Sequence, residues 1–107
     1  MMHMYEHMND VLDIMWGNLM EADKYIKMAH ELKDECRAYA DWCKDMAMKH
    51  IEFNTGCKGV YDRLKDRMHE DTEHAAHHPG IMMILDRNMA KLNHTAAEIK
   101  AKLEMYK

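Results

Sequence analysis

The chain has 107 residues and a formal net charge of −4, with 15 basic and 19 acidic side chains; that length suits one domain with a regularly packed core and excludes a multi-domain protein. One proline, four glycines and one phenylalanine stand against 14 methionines and abundant Ala, Leu, Lys, Glu and Asp, a composition that favours helix and excludes extensive sheet. The interleaved charges leave no basic stripe to neutralise phosphates, no apolar run approaches the roughly 20 residues of a membrane span, and Met1-Met2-His3-Met4-Tyr5-Glu6 lacks the basic and apolar regions of a leader. A soluble, cytoplasmic, all-α protein is expected, with neither duplex nucleic acid nor membrane as partner.

The first helix is expected over about residues 4 to 32. Met8, Leu12, Met15, Leu19, Ala22, Ile26 and Ala29 recur in alternating steps of four and three, a heptad seam. Lys33-Asp34-Glu35 ends it, with Asp34 placed to cap the helix that follows.

The second helix is expected over residues 35 to 70, with a seam of Tyr39, Cys43, Met46, His50, Phe53, Cys57, Val60 and Leu64. Asn54-Thr55-Gly56 and Gly59 are residues that commonly punctuate helices, but the heptad phase runs through them unchanged. One long helix is therefore preferred, and a four-helix bundle split near Gly56 is the alternative. Asp71 to His78, reading DTEHAAHH, carries no seam and forms the second connection. Pro79 suits the first turn of a third helix, and Met82, Leu85, Met89, Leu92, Ala96, Ile99, Leu103 and Tyr106 supply its seam to about residue 106. Three long seams with short connections predict an antiparallel up-down-up bundle of three long helices.

Cys36, Cys43, His50 and Cys57 fall on one line at seven-residue intervals. A heptad climbs roughly 10.5 Å, too far for neighbours to share an ion with ligand bonds of about 2.0–2.3 Å, and beyond the roughly 7 Å limit for bridging two cysteine Cα atoms. Free thiols in a reducing compartment are expected. Cys43 or Cys57 with His50 would become a metal site only if another helix, through His30 or His94, completed it.

A better metal candidate follows from topology. The up-down-up order gathers His3, His7, His69, His74, His77 and His78 at one pole, beside Glu6, Glu70, Asp71 and Glu73, and His3 and His7 are spaced to share a helical face. Copper, nickel or zinc would suit that set; otherwise no cofactor is expected. Protonation of the clustered imidazoles would loosen the pole below about pH 6.

Trp16 and Met20, and separately Ala38 and Trp42, lie beside their seams and point to a surface for a partner or for self-association. Asp41, Asp45, Glu52, Asp62, Asp66, Glu70 and Asp71 add carboxylates along the second helix, interspersed with Lys44, Lys49, Lys58, Arg63, Lys65 and Arg67, the pattern of a mixed, solvated face. No nucleophile and base can be paired by spacing, so an enzyme ranks last.

The stretch Ala29-His30-Glu31-Leu32-Lys33, the run from Tyr39 through Trp42, Cys43, Met46 and His50 to Asn54, and the closing Leu103-Glu104-Met105-Tyr106 resemble small helical accessory proteins encoded by phages of gut bacteria, some of them ferritin-like in layout. Ferritin-like centres use Glu-x-x-His pairs; this chain has none, and Ala47 stands three before His50. The resemblance therefore implies a retained scaffold without the metal chemistry, and a protein that binds another protein in the host cytoplasm. Inhibition of a host defence nuclease such as a CRISPR effector is its sharpest form, with Trp16, Met20, Trp42, Asp41 and Asp45 as the contact residues. A metal-binding bundle and a homo-oligomeric scaffold are the alternatives.

Overall fold

A computed structural model describes residues 2–70 and 79–107, with side chains described for 4–68 and 80–107. Three helices account for nearly all of it: α1 over Met2–Leu32, α2 over Arg37–Glu70 and α3 over Pro79–Met105. They run up, down and up in a rod of 58 × 16 × 15 Å, the elongated shape that helices of this length must make when they lie side by side. No strand occurs among the described residues.

The α1 seam is buried throughout, from Met8 to Ala29, and extends down to Met4 and Tyr5. The α3 seam is likewise inward: Leu85, Met89, Leu92, Ile99 and Tyr106 are buried, with Met82, Ala96 and Leu103 half-buried against them. Seven methionines, Met4, Met8, Met15, Met28, Met68, Met82 and Met89, sit in or against the interior, as expected of flexible thioethers filling irregular gaps between helices.

The α1–α2 turn differs from expectation in its cap. The N–H groups of Glu35 and Cys36 both donate to the Leu32 carbonyl, at 3.0 and 2.8 Å, and the Cys36 carbonyl accepts the first bond of α2 from Ala40 at 3.0 Å. Cys36, not Asp34, thus holds the capping position, two residues later, because the turn closes back on Leu32. Helix α2 is then continuous for 34 residues, with Gly56 and Gly59 inside it at negative φ, which removes the four-helix alternative.

The second seam is half right. Cys43 is buried and His50, Cys57 and Leu64 are half-buried on the expected line. The companion line is Ala40, Ala47, Asn54, Tyr61 and Met68, one residue after the expected Tyr39, Met46, Phe53 and Val60, of which three are exposed. Small side chains decide this: Ala22 and Ala29 of α1 and Ala40 and Ala47 of α2 are all fully buried, and alanines let two helix backbones approach more closely than large aromatics would.

Helix α1 is the shared partner. It packs along most of α2 and less extensively on α3, while α2 and α3 scarcely approach one another. Asp23, mostly buried on α1, ties in α3 by accepting from Lys102 at 2.8 Å and from its own neighbour Lys27 at 2.7 Å. Burial alone would raise the Asp23 pKa, but the two lysines outweigh it and hold the carboxyl below its usual range.

Candidate partner-binding site

The line displaced from the core makes the outer face of α2. Tyr39, Trp42, Phe53 and Val60 are exposed, Phe53 at 58%, with half-buried Met46 between them. Their steps of three, four, seven and seven residues keep them on one heptad line, which follows α2 for roughly six turns.

Helix α1 braces the strip. Tyr39 stacks on Trp42 with ring centroids 5.6 Å apart and planes 17° from parallel, and Tyr25 of α1 meets Trp42 edge-on at 5.8 Å. Tyr25 also stacks on His50 at 5.9 Å, and Lys24 Nζ lies 5.6 Å from its ring centroid. Asn18 donates through Nδ2 to the Ile14 carbonyl at 3.2 Å, which turns Oδ1 towards His50 at 2.8 Å. A carbonyl only accepts, so this bond fixes His50 as the Nδ1–H tautomer. Met46, Phe53, Lys49, His50 and Asn18 enclose a shallow, largely apolar hollow of about 230 Å³. The Tyr39 phenol is pushed above its ordinary pKa, first by the Cys43 thiol and then by partial burial.

The five expected contact residues do not form one patch. Trp42 belongs to the α1–α2 strip, whereas Trp16 lies over the α1–α3 seam, lining a hollow with Asn9, Leu12, Asn88 and Lys91; Met20 is exposed one turn further along α1. Asp41 accepts from Tyr106 Oη at 2.7 Å and pairs with Arg37 at 3.2 Å, and Asp45 lines a basin with Arg37, Lys44, Tyr106 and Lys107. Both carboxylates are thus engaged with or beside the end of α3. Tyr25, Tyr39, Met46, His50 and Phe53 complete the strip; the heptad line 39, 46, 53, 60 is visible in the sequence, but it faces outward where a core seam is expected.

The histidine pole falls largely outside the described residues: this holds for His74, His77 and His78 and for the side chains of His3 and His69. His7 is exposed on α1. Among the described residues no group of three or more His, Cys, Asp or Glu side chains is placed to hold an ion. The Cys/His line is not completed from other helices either. His30 donates through Nε2 to the Lys102 carbonyl at 3.1 Å and meets Tyr106 edge-on, and His94 is paired with Glu98 at 2.7 Å on the outside of α3. Cys36 is exposed, Cys43 buried and Cys57 half-buried, all three free thiols, and burial pushes the Cys57 thiol up in pKa, towards its neutral form.

No described helix is long and apolar enough to cross a membrane. Comparison with protein-family models, with curated proteins and with solved structures gives no match for this chain.

Proposed function

We propose that this chain is a non-enzymatic binding protein that captures an amphipathic helix of another protein on the outer face of α1 and α2. The observation that carries this reading is the heptad-spaced strip Tyr39, Trp42, Met46, Phe53 and Val60. An exposed apolar row in helix-seam spacing fits a second helix laid alongside, whose anchors would recur at i, i+3, i+4 and i+7, and stacked Tyr and Trp side chains are the residue types that dominate binding energy at interfaces. The hollow beneath Met46 and Phe53 would take one such anchor.

The narrowest form of the proposal is inhibition of a host defence nuclease, a CRISPR effector among them, by a phage-encoded protein in the host cytoplasm. It is supported by the resemblance of the helical segments to phage accessory proteins, and its compartment by three free cysteines. Asp41 is engaged by Tyr106 and Arg37, so contact in this form runs through the aromatic strip and not through a row of phosphate-like carboxylates.

The test replaces Met46 by a photo-crosslinking amino acid in cells that carry the protein. A single cross-linked partner is expected, lost in the Trp42→Ala, Phe53→Ala double variant and retained in Trp16→Ala. An adduct of two copies of this chain would make it a homo-oligomeric scaffold instead, and an adduct unaffected by the double variant, or none at all, would overturn the proposal.

A further inference from the structure

Helices α2 and α3 are tied to each other at both ends and stand apart between. At one end Tyr61 Oη and Lys65 Nζ reach the two carboxylate oxygens of Asp86, at 3.2 and 3.0 Å. At the other, Tyr106 Oη reaches Asp41 at 2.7 Å and Arg37 donates to the Lys107 carbonyl at 3.0 Å. Between the two ties lies a cleft of about 350 Å³, within the size range of small-molecule sites. Met15 and Leu19 of α1 form its floor, and Ile51 of α2 and Leu92 of α3 its walls.

Three polar residues of its lining matter for binding. Lys58 on α2 and Lys100 on α3 both line the cleft, and neither has an ion-pair or hydrogen-bond partner among the described residues. No carboxylate lines it, so a chain of net charge −4 presents a locally cationic site. Asn54 also lines it while only 6% exposed. Its Nδ2 donates to the Met15 carbonyl at 2.9 Å; that carbonyl only accepts, which fixes the amide orientation and leaves Oδ1 as a buried acceptor without a partner.

We propose that this cleft binds a small amphipathic anion of the N-substituted amino acid class. An acyl or aryl group would lie on Met15, Leu19, Ile51 and Leu92. Its N–H would donate to Asn54 Oδ1 once the side chain turns that oxygen, closed to solvent in the empty cleft, towards the ligand, and its carboxylate would sit between Lys58 and Lys100. A buried acceptor discriminates strongly for a ligand that brings a donor, because a ligand without one leaves it unpaired. Two unpaired lysines select the anion over its neutral counterpart. The site is separate from the aromatic strip, since it opens between α2 and α3 and not between α1 and α2.

The probe is dansylglycine, which combines an aromatic body, a sulfonamide N–H and a carboxylate. Titration into the intact protein, followed by probe fluorescence, is expected to give saturable one-to-one binding. Lys58→Gln with Lys100→Gln should weaken it by about tenfold or more, and dansylamide, which lacks the carboxylate, should bind weaker by a similar factor. Asn54→Leu should also weaken binding by about tenfold while leaving the fold at least as heat-resistant, so lost affinity there is not lost folding. Absence of saturation up to about millimolar probe, affinity unchanged in the lysine and Asn54 variants, or loss of binding on Phe53→Ala instead would each overturn the assignment.

Discussion

Asn54 of α2 donates to the main-chain carbonyl of Met15 of α1 at 2.9 Å, from a seam position that heptad packing otherwise fills with apolar side chains. The bond fixes the register of the two helices, but it strands the amide oxygen in the interior. Replacing the amide by an apolar group of similar size removes that desolvated oxygen, and the Met15 carbonyl keeps its bond within α1. Asn54→Leu is therefore expected to stabilise the fold by about 1 kcal/mol. Asn54→Asp, which buries a charge at the same point, should cost several times as much at pH 7 and recover as the carboxyl is protonated. Urea denaturation of both variants at neutral and acid pH checks the pair.

Asp23 predicts the acid limb of stability. Its pKa is lowered in the folded protein because Lys102 and Lys27 outweigh the effect of burial. A carboxyl with a depressed folded pKa contributes stability above its unfolded pKa of about 3.9 and loses it as pH falls through the folded value. Both lysines are substantially exposed, which limits the contribution to about 1 kcal/mol. Asp23→Asn should lose that amount at pH 7, and its difference from the parent chain should shrink below about pH 4.

At the alkaline limb the controlling group is Tyr61. Its side chain is 1% exposed, and burial, followed by the charge of Asp86 and the hydrogen bond to it, pushes the phenol well above its ordinary value of 10.0. A raised folded pKa gives stability that is complete below the unfolded pKa and is lost as pH rises beyond it. Melting temperatures should therefore fall above about pH 10, and Tyr61→Phe should lose less over that interval. At neutral pH the same variant gives up one hydrogen bond to a carboxylate, about 1 to 2 kcal/mol. A parent chain with a flat melting profile to pH 11 would contradict this assignment.

Gly56 lies inside α2 with nothing within 4 Å of the place a Cβ would occupy and with negative φ. Gly56→Ala should stabilise the fold by about 0.5 to 1 kcal/mol by restricting the unfolded chain and favouring helix. The thermal midpoint gives the readout, and a fall in it would mean that α2 needs freedom at this point.

The seams of α1 and α3 were legible residue by residue: each expected position is buried or half-buried, and the exposed Ile14, Trp16 and Ile84 form no heptad line of their own. In α2 size and burial part company. Tyr39, Phe53 and Val60 outrank Ala40, Ala47 and Asn54 in hydrophobicity, but the alanines permit close approach to α1 and Asn54 finds a carbonyl to bond. Hydrophobic periodicity reports both lines of such a helix and does not tell which one faces inward. The same ambiguity hid the aromatic strip, half of it read as core. Nor could spacing along the chain foretell the α2–α3 cleft, which depends on where Tyr61 and Tyr106 find their carboxylates on other helices.

Because α3 packs along α1 less extensively than α2 does, and meets α2 chiefly through polar ties at its two ends, the three helices are not equal partners in unfolding. The α1–α2 hairpin is closed by a short turn at Lys33 to Glu35 and keeps most of its interface when α3 leaves. An opened form with α3 detached is thus the lowest excursion from the native state. Amide protons of α3 should exchange with solvent ahead of those in the paired halves of α1 and α2, and during synthesis the hairpin should form while α3 is still inside the ribosome.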